Sequence, residues 1–178
     1  MPTKKETRLT DRVTLSPVKS SHAGLIAKWK NAGVVNKYAL STSKRVSTRG
    51  QHEDIKAALK NDRQYFLISL KESLKPIGYV RTSWMDEKKT MAWLRYAIGE
   101  SKYRGHGYAK EALLLLLKHL LKKGVRRIEA EVYEFNLPSI AILKKLGFRQ
   151  EGRKRKAHHI KDKRYCDIFI FGLLAEDI

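Results

Sequence analysis

The sequence predicts a mixed α/β domain. Three observations carry that class: strand-length runs of aromatic and β-branched residues, a long Leu- and Ala-rich segment of helical period at 107–123, and a glycine turn leading into that segment. Taken in order, Val13, Leu15 and Val18 suggest a first strand, closed by Ser16 and Pro17. Ser20-Ser21-His22 offers an N-cap to a helix carrying Leu25, Ile26 and Trp29. Gln51 to Lys60 fits a second helix, with Ile55, Ala58 and Leu59 on one face. Tyr65 to Leu70, Pro76 towards Trp84, and Thr90 to Ile98 read as strands; the polar turns at 71–75 and 86–89 are short enough to make them an antiparallel meander.

The period then changes. Gly107 to Lys123 reads as a helix, with Lys122 and Lys123 in its last turn and Gly124 beyond. Arg127 to Glu134 alternates Ile128, Ala130 and Val132 with Glu129, Glu131 and Glu134, a strand pattern. Pro138 opens a further helix that Gly147 ends, and Asp167 to Leu174 is a closing apolar strand. No repeat or linker divides the chain. Residues 1–10 read as a polar arm and 11–178 as one domain.

Composition bounds the function. There are 178 residues, with 38 Lys and Arg against 18 Asp and Glu, a net charge of +20. That field favours anionic partners and disfavours polycations, and it leaves RNA or ribosome association open. The densest basic run, 152–164, reads as a solvated loop; it holds no Phe, Tyr or Trp on which bases would stack. One Cys excludes an internal disulfide framework and a Cys-based zinc cluster, and His158 and His159 lack a third ligand at metal spacing, so no metal is expected. The longest apolar run, Ala112 to Leu117, is too short to span a bilayer, and no signal-like stretch follows the start. A basic cytoplasmic protein without a membrane anchor is the expectation. The Leu run at 113–117 packs a core, with some excess for a homodimer. Trp84 and Trp93 either line an acceptor pocket or cover the sheet.

The chemical centre is Tyr103-Arg104-Gly105-His106-Gly107-Tyr108-Ala109, between a strand and a helix N-terminus. The first N–H groups of a helix lack internal partners, and its dipole favours an anion there. A P-loop fails because no Gly-Lys-Ser/Thr follows, and the spacing is not that of a dinucleotide fingerprint. Arg104, Gly107 and Ala109 stand in the register Gln/Arg, two residues, Gly, one residue, Gly/Ala. In that register the chain resembles the GNAT superfamily of acyl-CoA-dependent N-acyltransferases. Asn136, Ser139, Leu143, Leu146-Gly147-Phe148 and Glu151-Gly152 are similar to the branch containing the ribosomal-protein N-terminal acetyltransferases (RimJ/RimL-like). Tyr165, Asp167 and Phe171 to Leu174 match that branch's last strand. Trp29-Lys30-Asn31 and Tyr38 fit its opening more loosely.

The resemblance implies a single GNAT-like domain with a mostly antiparallel central sheet, a splayed parallel strand pair and helices on both faces. It implies acetyl-CoA as co-substrate, its pantetheine arm on the backbone of Tyr96, Ala97 and Ile98, its pyrophosphate on the N–H groups of Arg104, Gly105, His106, Gly107, Tyr108 and Ala109, and Asn136 beside the arm. It implies direct attack by a neutral amine, with a backbone N–H near Ala97 or Ile98 facing the oxyanion. The Tyr that many members place seven residues after the Asn is Leu143 here, so Ser139 is the candidate acid. Glu131 and Glu134 are the candidate bases, directly or through water. The acceptor implied is a protein N-terminus or an anionic or neutral small amine, such as a nucleotide-linked amino sugar. The alternative is a catalytically weak relative that binds RNA or the ribosome; the intact glycine turn argues against it.

Overall fold

A computed structural model describes residues 11–40, 44–160 and 164–177. The arm expected at 1–10 lies outside the described residues.

Seven strands form one sheet in the order β1-β2-β3-β4-β5-β7-β6. They are β1 (Val13–Pro17), β2 (Tyr65–Leu70), β3 (Pro76–Trp84), β4 (Met91–Ile98), β5 (Arg127–Tyr133), β6 (Arg149–His159) and β7 (Tyr165–Leu174). All neighbours are antiparallel except β4 and β5. The ladder of that parallel pair is short, running from Met91↔Arg127 through Ala92↔Ile128 to Trp93↔Glu129. Beyond it, β4 follows β3 as far as Gly78↔Ile98, and β5 follows β7 as far as Tyr133↔Ile168. The two strands therefore part, and the sheet opens at its centre.

Helices cover both faces. On one, α4 (Tyr108–Lys122) buries Ala109, Ala112, Leu113, Leu116, Leu117 and Leu120, the i, i+3, i+4 stripe expected of a core-facing helix. Leu113, Leu116 and Leu120 are fully buried, each contributing roughly 1.5–3 kcal/mol. α5 (Leu137–Lys145) joins this core through Leu143, which is apolar interior. On the other face lie α1 (Ala23–Asn31) and α3 (Thr48–Lys60), whose Ile26, Trp29, Ile55 and Ala58 pack on Tyr65, Leu67 and Tyr79. Between them, the single turn α2 (Gly33–Val35) runs into a π-helical turn, Asn36–Leu40. Gly99 fits this face only as glycine, because a Cβ there would lie 2.1 Å from the Trp29 ring.

Two expectations are corrected. Ser20–His22 is a 3-10 turn, and no side chain caps α1; instead the His22 ring accepts the Lys19 N–H (3.0 Å). The basic run read as a loop is largely strand β6, at the exposed edge of the sheet. Its backbone pairs with β7 through two register shifts, and Asp167 accepts the Lys156 N–H (2.7 Å) and pairs with Arg153. Hydropathy gave no sign of it, because an edge strand needs only a backbone partner, and charge on an edge discourages further pairing. His158 and His159 belong to this strand.

No helix among the described residues is long and apolar enough to cross a membrane.

Several carboxyls sit below their ordinary range in the fold. Asp167 is held low by the Lys156 N–H and then Arg153, Glu151 by Arg127, Asp62 by Lys89, and Asp86 by the Thr90 hydroxyl. His22 and His119 are pushed below 6.5, by burial first and then by Lys19 and Lys123. As pH falls the unfolded chain takes up these protons before the folded one, so both sets lose stability towards acid. The melting temperature is expected to decline slightly below pH 6.5 and steeply below about 4. A scanning-calorimetry series from pH 3 to 8 that rises towards acid would contradict this.

Candidate active site

The gap between β4 and β5 is the mouth of a cavity of about 420 Å³. The period of β4 divides its walls. Leu94, Tyr96 and Ile98 face the α4 and α5 side, whereas Ala97 packs with the α1 and α3 core. Trp93 and Arg95 share the period of Ala97 and also line the cavity.

On the α4 side the glycine turn closes the wall. Gly105 (φ +78°) and Gly107 (φ +85°) take the left-handed conformation that favours glycine. The first bond of α4 runs from the Glu111 N–H to the Gly107 carbonyl (3.2 Å). Among the described residues no acceptor lies within hydrogen-bonding distance of the N–H groups of residues 107–110, whereas the turn at Arg104 and Gly105 bends the His106 N–H back towards the chain. A Cβ on Gly105 would meet nothing within 4 Å, so open space lies in front of those donors. Arg104 lines the cavity and is anchored from two nitrogens: Nε donates to the Ile98 carbonyl (2.9 Å) and a terminal nitrogen to that of Gly99 (2.7 Å), fastening the turn to β4. Arg12 fastens it from below, through the His106 carbonyl (2.9 Å) and the Glu111 carboxylate.

The residues singled out in the sequence fall into distinct places. The Gly99 N–H donates to Ile77 on β3 (2.9 Å). Strand alternation therefore turns the Ala97 amide to β3 and those of Tyr96 and Ile98 to the gap. Ala97 is set aside as an amide donor on that ground. The Tyr96 hydroxyl lies 2.6 Å from Ser139 Oγ, inside the cavity. Burial pushes that phenol up to about 12, opposed by the bond to Ser139. The Asn136 carbonyl caps α5 by accepting the Ser139 N–H (3.2 Å), and its amide donates to the Tyr38 carbonyl (3.2 Å), so it ties α5 to the π-helical turn beside the cavity.

Of the two carboxylates, Glu131 lines the cavity and pairs with Lys154 of β6. Glu134 does not line it: beyond the end of β5, its carboxylate accepts the Asp167 N–H (3.0 Å) on β7. Arg127 pairs with Glu129 and Glu151 rather than with either. Cys166 is buried in β7, and burial, then Glu134 and Asp167, raise its thiol. Of the two tryptophans left open, Trp93 lines the cavity, while Trp84 packs on the core and donates to the Asp62 carbonyl (2.8 Å).

The sequence reading missed Lys30, Arg81, Arg95 and Tyr133, all on the cavity wall, and the side-chain role of Tyr96. A signal existed for two of them: the alternation of β4 puts Tyr96 on one face of the open strand and Arg95 on the other.

A family model described as an acetyltransferase (GNAT) domain matches residues 12–149. The SPbeta prophage-derived uncharacterized N-acetyltransferase YokL of Bacillus subtilis is 32% identical over 132 residues, 74% of this chain and 73% of that protein. The uncharacterized N-acetyltransferase p20 of Bacillus licheniformis is 29% identical over 178 residues, covering 97% and 98% of the two. Among solved structures, Mycobacterium smegmatis RimJ in complex with CoA-disulfide superposes with a TM-score of 0.79 at 24% identity, over 93% of this chain and 83% of that one. RimL, a ribosomal L7/L12 alpha-N-protein acetyltransferase in complex with coenzyme A, superposes with a TM-score of 0.82 at 16% identity, over 96% and 98%. At those identities the two structures speak to the fold.

Proposed function

The chain belongs to the GNAT acetyltransferase family, and we propose that residues 11–178 form one domain that moves the acetyl group of acetyl-CoA to an amine by direct attack. The observation that carries this reading is the opening of the sheet between the N–H groups of residues 107–110, which meet no acceptor among the described residues, and the Tyr96–Ser139 pair. The donors and the open space at Gly105 fit a pyrophosphate, and the free edge of β4 fits a pantetheine arm.

Acetyl-CoA supplies a thioester carbonyl, the electrophile for the amine. The rest is done by this chain. The cavity holds the two reactants together. The N–H groups of Ile98 and Tyr96 are placed to meet negative charge developing on the carbonyl oxygen. Tyr96, paired with Ser139, holds a proton for the leaving thiolate. Glu131 is the one carboxylate among the described residues on the cavity wall, so it receives the amine proton, through water.

The acceptor is a protein N-terminus or an anionic or neutral small amine. Likeness in fold to RimL, an alpha-N-protein acetyltransferase, supports the first, and a net charge of +20 disfavours polycations in both cases. The test is calorimetric titration of acetyl-CoA, followed by thiol release against a panel of N-terminal peptides, amino-sugar nucleotides and polyamines. Micromolar binding and release with a non-cationic amine are expected. No binding of acetyl-CoA would overturn the reading, and efficient polyamine turnover would overturn the acceptor class.

A further inference from the structure

The α1 and α3 side of the cavity carries more positive charge than the fold explains. Arg81 on β3 and Arg95 on β4 stand directly opposite one another in the antiparallel register, on the same face. Like charges in that relation destabilise a sheet. Lys30, from α1, lines the same wall. Asp54 of α3 answers two of the three: it accepts Arg81 at 2.8 and 3.0 Å and Lys30 at 3.4 Å. Arg95 forms no ion pair among the described residues. Its guanidinium lies over the Trp93 ring at 4.0 Å, a stacking that leaves the in-plane N–H donors free. Among the described residues the buried Arg81 Nε also has no acceptor. Glu131, across the gap, is already paired with Lys154.

Coenzyme A does not account for this cluster. The N–H groups fitted to its phosphates lie at the start of α4, on the opposite face from Arg95. Electrostatics agree that the cluster is under-compensated: burial, then Arg81, pulls the Arg95 guanidinium down, and burial pulls Lys30 down against Asp54.

We propose that the acceptor amine carries a carboxylate or phosphate group, which docks on Arg95 with Arg81 and Lys30 behind it and so aims the amine at the gap between β4 and β5. This rests on the transferase reading above and narrows its acceptor. A planar guanidinium held flat on an indole presents a fork suited to either oxyanion, and a charge-assisted pair there would relieve the Arg81–Arg95 repulsion.

The test uses matched acceptors. O-phosphoethanolamine is set against ethanolamine, and the peptide amide Ala-Asp-Ala against Ala-Asn-Ala; the first pair reads a phosphate, the second a peptide carboxylate. Thiol release gives kcat/KM for each. Binding of each to the CoA-loaded protein is measured by calorimetry, so the comparison does not depend on turnover. At least one anionic member is expected to exceed its neutral partner tenfold or more. Arg95→Gln is expected to reduce that ratio to about twofold, and Arg95→Lys, which keeps the charge but not the fork, to restore part of it. A bystander arginine would leave the ratio unmoved. Melting temperature and acetyl-CoA affinity certify each variant as folded. Equal binding and turnover within both pairs, or a preference that survives Arg95→Gln, would overturn the proposal while leaving the transferase reading intact. Failure of the native chain to bind acetyl-CoA would overturn both.

Discussion

Gly105→Glu is expected to weaken acetyl-CoA binding by a factor of about 100 or more. Gly105 lines the cavity, and a Cβ there projects into open space in front of the free N–H row. On the proposed seat of the pyrophosphate, a carboxylate in that space meets a phosphate. Two like unit charges 4 Å apart repel by ~4 kcal/mol near a protein surface, which corresponds to almost three orders of magnitude before solvent screening is allowed for. The backbone adds a separate effect, because φ is +78° and any side chain is strained there by ~1–3 kcal/mol. Gly105→Ala carries that strain without the charge, and its loss of affinity is expected to stay within about tenfold. Calorimetric titration of both variants, with melting temperatures alongside, separates the two effects. Equal affinity in the Glu and Ala variants would mean that no phosphate lies at the turn. Gly107 is a poorer place for this test, since a Cβ there points at the Arg12 guanidinium, 3.4 Å away, which would accept the new carboxylate.

The order of the elements was legible because local patterns encode it. Aromatic and β-branched runs between polar turns mark β2, β3 and β4, the Leu stripe marks α4, and Gly107 and Gly124 bracket that helix at positive φ. The glycine turn was legible for the same reason, since its function is a backbone function and glycine reports backbone. What the sequence did not show is what distant segments do to one another. Glu131 and Glu134 both fall in the segment 127–134, yet only the first reaches the cavity, because residues three apart fall on opposite faces of a strand, β5 ends at Tyr133 and the second carboxylate turns to β7. Strand β6 owes its existence to β7 and not to its own hydropathy. The Arg81–Arg95 juxtaposition depends on the register of the β3–β4 meander, to which a one-residue slip would be fatal and which neither strand specifies alone.

Removing one oxygen from Tyr96 should produce the largest catalytic defect of any single side chain on the α4 wall. Among the described residues the phenol's hydrogen-bond partner is Ser139 Oγ at 2.6 Å, and burial raises it to about 12. It therefore remains protonated throughout the range in which acceptor amines become neutral, and it can give a proton to a departing thiolate without limiting the alkaline side of the rate profile below about pH 10. General acid catalysis contributes typically 10²–10⁴-fold, so Tyr96→Phe is expected to lower kcat by about 100-fold. Acetyl-CoA affinity should change little, because the strand offers its backbone either way. Ser139→Ala leaves the phenol in place and removes only its partner, so its effect on kcat is expected to be a few-fold, about the worth of one neutral hydrogen bond. The order of the two variants carries the argument. If Ser139→Ala were the more damaging, the serine would be the proton donor and Tyr96 its support, the assignment to which the sequence alone had pointed. If neither lowered kcat, the thiolate would leave unprotonated, and the 2.6 Å contact would be a fastening between β4 and α5.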